Sequence, residues 1–274
     1  MAARRNRDKT GLSLFAEELK AARQRAGLSR DEAAAKLGYS ASLVSMIEIG
    51  HRTPQPDFAE RCDEVFGYPG TFTRIEKRLR DLPFPESYRP FVPHEKAAKV
   101  LRTFQHSLVP GLLQTPGYAR AVLATRPHTS DEEVENLLVA RLSRQEILSR
   151  ADPPLMYALL DEAVLHRPVG QAEVMHGQLL HLVEASRHPD ISVQVLPYSA
   201  GGHIGLLGAF TIAENADLSA IVFVENANDG QTLEDTDAVS QVMARFDALR
   251  GEALPTGPSR ALIEEVAGTW ATRT

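Results

Sequence analysis

The chain has 274 residues, 43% of them hydrophobic, with 30 Lys and Arg against 36 Asp and Glu, for a formal net charge of −6. That length permits one large or two medium domains, and the acidic balance argues against a protein that coats nucleic acid by charge alone. No apolar run approaches the roughly 20 residues of a membrane span, Met1 to Lys9 is basic and polar with no apolar stretch behind it, so no secretory signal is expected, and the lone Cys62 allows no internal disulfide, which fits a reducing cytoplasm.

Charge is divided along the chain. Residues 1–80 hold 15 Lys and Arg against 11 Asp and Glu, a net of +4, whereas residues 81–274 hold 15 against 25, a net of −10. The basic excess is densest in residues 1–30, with 8 basic and 3 acidic groups, and residues 1–12 read as a basic arm. A basic N-terminal module on an acidic protein fits a sequence-specific interaction with double-stranded DNA.

A first helix is expected from Ser13 to Ala26, with Leu14, Phe15, Leu19 and Ala22 inward and Gly27 as its stop. Ser29 then caps a second helix, and Glu32 at its N3 position completes a capping box. Ala33, Ala34 and Leu37 follow at helical spacing, and Gly38 ends that helix in the left-handed region. Ser40 caps a third helix whose inward residues are Leu43, Val44 and Ile47, closed by Gly50 and by Pro54 beyond it. Two helices joined by so tight a turn make a helix-turn-helix, which presents its second helix to the DNA major groove. Asp57–Phe66 reads as a fourth helix, with Cys62 as a core thiol, and Thr71–Leu82 as a fifth.

The run Leu28-Ser29, Glu32 with Ala34, Leu37-Gly38, and Glu48-Ile49-Gly50 with Arg52 and Pro54 resembles the Xre/Cro-type repressor family. That family often has Gln at the first position of the positioning helix, where it meets a phosphate; Arg30 stands there in this chain, keeping the donors and adding charge. The resemblance implies operator binding, with Arg30, His51 and Arg52 as phosphate contacts and Ser40, Ala41, Ser42, Ser45 and Met46 as the residues at or near the base edges. Those outer side chains are short and hold no Arg, Asn or Gln, so readout is expected to rest on hydroxyls and on apolar contact with thymine methyls, supplemented by DNA shape and a dimer.

Pro83, Pro85, Pro90 and Pro93 fall within eleven residues, which excludes helix and marks residues 83–93 as a linker. The second domain is expected over residues 94–274. Glu95–Val109 reads as a helix or a helix-strand segment, and Ser130 with Glu133 opens a helix through Ser149. Leu155–Leu160 and Ile191–Leu196 read as strands on either side of a helix from Glu173 to Ser186. Gly208–Ala213 and Ala220–Glu225 read as two more strands, followed by helices Thr236–Arg250 and Ser259–Thr269. The expected fold is an α-helical helix-turn-helix domain of about five helices, followed by an α/β domain with a mixed sheet flanked by helices.

The stretch Val109–Thr115 with Tyr118-Ala119-Arg120, then Arg141, Arg144-Gln145, Asp161-Glu162-Ala163, Gln178-Leu179, Val193–Pro197, Gly208-Ala209-Phe210 and Val224-Glu225 resembles a domain of unknown function. That domain is attached to Xre-type regulators throughout Streptomyces and other actinobacteria. The resemblance implies a small partner protein encoded nearby, and roles in development or antibiotic production.

Chemistry in this half is sparse. Glu162, His166, His203 and Glu225 are the candidate ligand- or partner-binding residues. Glu162 and His166 are four apart but no third ligand has motif spacing, so no metal is expected. Gly201-Gly202 lacks the further glycines and Lys of a phosphate loop. The strand-helix-strand unit followed by His203 is similar to half of a phospholipase-D-like fold. That family needs His-x-Lys, and His203-Ile204-Gly205 supplies no lysine, so no catalytic residue and no cofactor is expected. The favoured reading is a cytoplasmic transcription regulator whose second domain forms a homodimer and binds a ligand or small partner. The alternatives are a DNA-tethered enzyme and a module that sequesters its partner. Thr236–Arg250 and the tail with Leu262, Ile263, Val266 and Trp270 carry more apolar surface than a small sheet needs, which is read as core with some left for the dimer.

Overall fold

The computed structural model describes residues 11–50, 52, 54–80, 86–217, 219–226 and 230–273; the basic arm up to residue 10 and His51 lie outside them. The chain divides into two compact units, Met1–Pro93 and His94–Thr274.

Local capping chemistry shapes the first unit. Its helices are α1 (Gly11–Arg25), α2 (Arg30–Leu37), α3 (Ala41–Glu48), α4 (Pro56–Phe66) and α5 (Thr71–Arg80). Ser29 accepts from the Glu32 N–H while the Glu32 carboxylate accepts from the Ser29 N–H, so two of the free donors at the start of α2 are satisfied. Gly38, at φ 81°, lets its N–H reach back to the Ala34 carbonyl. Ser40 accepts from Leu43 N–H and starts α3 two residues later in the same way. Between the two, Tyr39 donates its hydroxyl to Asp57 at 2.7 Å, tying the turn to the first turn of α4. That hydrogen bond, with burial behind it, holds the phenol pKa up at about 12. Asp63 on α4 accepts from the Phe72 and Thr73 N–H groups and so caps α5. Phe15, Leu19, Leu37, Val44, Ile47, Phe58, Cys62 and Phe72 form one core, each large side chain worth about 1.5–3 kcal/mol on burial. Burial pushes the Cys62 thiol pKa up, as expected of a core thiol rather than a reactive one.

The proline-rich stretch departs from the expectation. A 3-10 turn spans Glu86–Tyr88, and α6 (Val92–Ala97) begins before the stretch ends. Pro93 falls in the first turn of α6, where its missing N–H would have had no helical partner.

The second unit continues with β1 (Val100–Gln105), α7 (Pro116–Leu123), α8 (Asp131–Gln145), β2 (Leu155–Asp161), α9 (Ala163–His166), α10 (Ala172–Ala185), β3 (Ile191–Leu196), β4 (Phe210–Glu214), β5 (Ala220–Val224), β6 (Gln231–Leu233), α11 (Thr236–Glu252) and α12 (Thr256–Ala271). The strands form one mixed sheet in the order β3-β2-β1-β4-β5-β6. β1, β2 and β3 are parallel, joined by helical crossovers, and β4 to β6 meander antiparallel from the other side of β1. On one face, Val239, Val242, Phe246 and Leu249 of α11 pack on Phe104, Leu159, Leu196, Phe210, Ile212 and Val222. β3 lies at the edge, where Ser259 Oγ accepts from the Val195 N–H and the Leu254 N–H donates to the Val195 carbonyl. Ile263, Val266 and Trp270 of α12 are buried too. A six-stranded sheet thus absorbs most of the apolar surface that looked surplus for a small one. Among the described residues, no helix is long and apolar enough to cross a membrane.

Candidate nucleic-acid interface

α3 is held by a buried charge cluster. Glu48, its one charged residue, turns inward with 0% of its side chain exposed. It accepts from Arg23 Nε of α1 at 2.5 Å, from Arg23 Nη2 at 3.2 Å and from Arg30 Nε of α2 at 3.0 Å. Arg23 also donates to the Leu28 carbonyl at 2.9 Å. Burial alone would raise the Glu48 pKa, but the hydrogen bonds from Arg23 and Arg30 outweigh it and hold the carboxyl below its ordinary value. One carboxylate thereby joins the positioning helix, the recognition helix and α1.

With Glu48 turned in, the outward face of α3 is uncharged. Ser42 is exposed, Ser45 is half-buried and Met46 is 38% exposed. Ser40 lies exposed at the cap and Ala41 half-buried beside it. Ile49, which the sequence alone presents only as part of the helix stop, is 50% exposed. The chain then folds back, with the Arg52 N–H donating to the Met46 carbonyl at 3.2 Å and the Arg52 side chain in solvent. Arg30 keeps nearly half of its side chain exposed while bound to Glu48. Arg30, Ser40, Ser42, Met46 and Arg52 are therefore on the surface of this unit; His51 lies outside the described residues.

The second unit separates its four candidates. Glu162 Oε2 accepts from the Tyr198 N–H at 2.7 Å, Glu162 Oε1 lies 3.5 Å from His166 Nε2, and the His166 ring stacks on Tyr198. These three groups bind one another and fasten α9 to the turn after β3. His203 is half-buried, its side chain 5% exposed, with Nε2 3.0 Å from Asp161 Oδ2 and its ring edge-on to Phe104. Gly205 is pressed against the same ring, where a Cβ would lie 2.3 Å from Phe104 Cζ, so no larger residue fits. Glu225 accepts instead from Gln105 Nε2 at 2.9 Å. Alternation along β1 turns Phe104 and Gln105 to opposite faces of the sheet, so His203 and Glu225 line different faces rather than one groove. Among the described residues, no group of three His, Cys, Asp or Glu is placed to hold a metal.

The motif residues of this unit meet elsewhere. Gln178, fully buried on α10, accepts from the Thr115 N–H and donates to the Leu113 carbonyl, both at 2.7 Å. Gln114 Nε2 donates to the Val109 carbonyl, and its Oε1 accepts from Arg141 on α8. Gln145 donates to the Gly111 and Gln114 carbonyls, Tyr118 accepts from the Val109 N–H, and Arg144 grips Glu95 with two bonds at 2.7 and 2.8 Å. Polar side chains that stand far apart in sequence thus converge to satisfy the backbone of segment 109–115, whose one regular element is a short 3-10 turn over Gly111–Leu113.

Two family models match the chain. One, described as a helix-turn-helix domain, covers residues 14–82, and the other, described as a domain of unknown function (DUF5753), covers residues 88–265, well over half of the chain. No curated protein and no solved structure matches. The helix-turn-helix match marks the first unit as DNA-binding, in agreement with the capped helix pair.

Proposed function

The chain belongs to the family of the domain of unknown function DUF5753, here behind a helix-turn-helix domain, and on that premise we propose that it is an Xre-type, sequence-specific transcription regulator. The observation that carries the reading is the neutral, solvent-facing side of α3, braced from behind by Arg23, Glu48 and Arg30 and flanked by exposed Arg52. In this reading α3 enters the major groove, Arg30 and Arg52 grip phosphates, and Ser42, Ser45 and Met46 face the bases. A single unit of this kind makes too few contacts for tight binding, so the reading includes a homodimer, assembled through the acidic second unit, that presents two recognition helices about 34 Å apart. The surfaces around Glu162 and His166, around His203 and around Glu225 are where it places a regulating ligand or small partner protein. It assigns no catalytic residue.

Arg30 gives the test. Arg30→Ala removes one phosphate contact, so binding to all duplexes should weaken alike and the slope of log affinity against log salt should flatten by about one unit. A variant that keeps the wild-type salt slope and loses only its preference among sequences contradicts the phosphate role.

A further inference from the structure

We infer that Met46 and Ile49 are the sequence-reading residues of α3 and that what they read is the 5-methyl group of thymine, on neighbouring base pairs. The inference rests on the reading that α3 lies in the major groove, and adds to it the chemical class of the operator.

Ser42, Met46 and Ile49 are spaced by four and three residues and therefore share one side of α3. On that side two large apolar groups, 38% and 50% exposed, stand in water. Each base edge asks for a particular partner in the major groove: guanine for Arg or Lys, adenine for Asn or Gln, cytosine for an acid. The exposed side of α3 has none of these: its only charged residue, Glu48, is buried and bound by two guanidinium groups, and the hydroxyls of Ser42 and Ser45 can bond to several bases without choosing among them. Thymine alone offers an apolar group there.

The two side chains are well placed for it. Ile49 sits at the C-cap with φ −94° and its N–H bonded to the Ser45 carbonyl at 3.1 Å. A β-branched side chain on a fixed backbone has little rotamer freedom to lose on docking. Met46 is adaptable and fills what Ile49 leaves, while the Arg52 N–H bonds its carbonyl and keeps a phosphate donor close by. Three residues of helix rise about 4.5 Å, against about 3.4 Å per base pair. Met46 and Ile49 therefore fall on adjacent base pairs, and each half-site should carry thymine on two neighbouring pairs.

The experiment uses the full chain. Its preferred duplex is first selected from random sequence, and each thymine of a half-site is then replaced by deoxyuridine, which removes the methyl and keeps the pairing. Burying one methyl is worth about fourfold in affinity, so replacing both should weaken binding about fifteenfold per half-site. Ile49→Ala should bind thymine and deoxyuridine duplexes equally at one position, and Met46→Ala at the neighbouring one. Equal binding of both duplexes by the wild-type chain overturns the inference without any variant, and so does a thymine preference that survives in both variants. If the chain selects no sequence at all, the groove-binding reading fails as well, and the two failures are thereby distinguished.

Discussion

Glu48→Ala should unfold the first unit while leaving the second intact. The substitution strips two guanidinium groups of their shared carboxylate, and Arg23, only 12% exposed at its side chain, is left with an unpaired charge against the core. Breaking a buried ion pair from one side costs about 3 kcal/mol or more, a large share of what a unit this small can hold in reserve. Hydrogen exchange should show loss of protection in peptides from residues 14–80 and none in peptides beyond 94. Glu48→Gln keeps the shape and part of the hydrogen bonding, and should lie between. The same cluster sets an acid limit. Because the Glu48 pKa is depressed in the folded chain, its stabilisation is complete above the unfolded value of about 4.3 and is lost as the pH falls through the folded one. The first unit should therefore lose protection on acidification in the wild type and show a weaker dependence in Glu48→Gln.

Gln178→Leu should be comparably severe in the second unit. Leucine fills the space but leaves the Thr115 N–H and the Leu113 carbonyl buried without their partner. Each orphaned group costs about 1–3 kcal/mol, so a loss of about 2–6 kcal/mol is expected, read as a lower melting temperature of the second unit. Gln178→Glu should not restore wild-type stability, since a carboxylate cannot donate to Leu113 and ionising it in this fully buried site is itself costly. A melting temperature within a degree of wild type for Gln178→Leu would contradict the assignment of this motif to backbone support.

What the sequence made legible followed from local chemistry. Ser29 with Glu32, Gly38 and Ser40 act over three or four residues, so their spacing alone placed the turn between α2 and α3. The strands Leu155–Leu160 and Ile191–Leu196 were equally open, because their apolar residues run together or alternate. β1 was not, since Arg102, Thr103 and Gln105 interrupt its apolar pattern while Thr103 and Gln105 are nonetheless buried in a central strand. β6, three residues long, gives too short a signal for any period. The grip of Arg23 on Glu48 spans 25 residues and that of Gln178 on Thr115 spans 63. Neither separation has a pattern that links the partners, so a motif recognisable as a motif could not be told apart from a ligand site until the fold brought its members together. Ile49 was hidden differently: in Glu48-Ile49-Gly50 the glycine draws attention as a stop signal, and only the exposure of the isoleucine reveals it as surface.

Whether this chain recognises an operator through α3 is decided by selecting duplexes from a random pool with the full protein at physiological salt. Enrichment is expected of a two-fold symmetric site whose half-sites are centred about 34 Å apart, one turn of DNA, each carrying thymine on adjacent pairs. Recovery of a pool with no enriched sequence would contradict operator recognition.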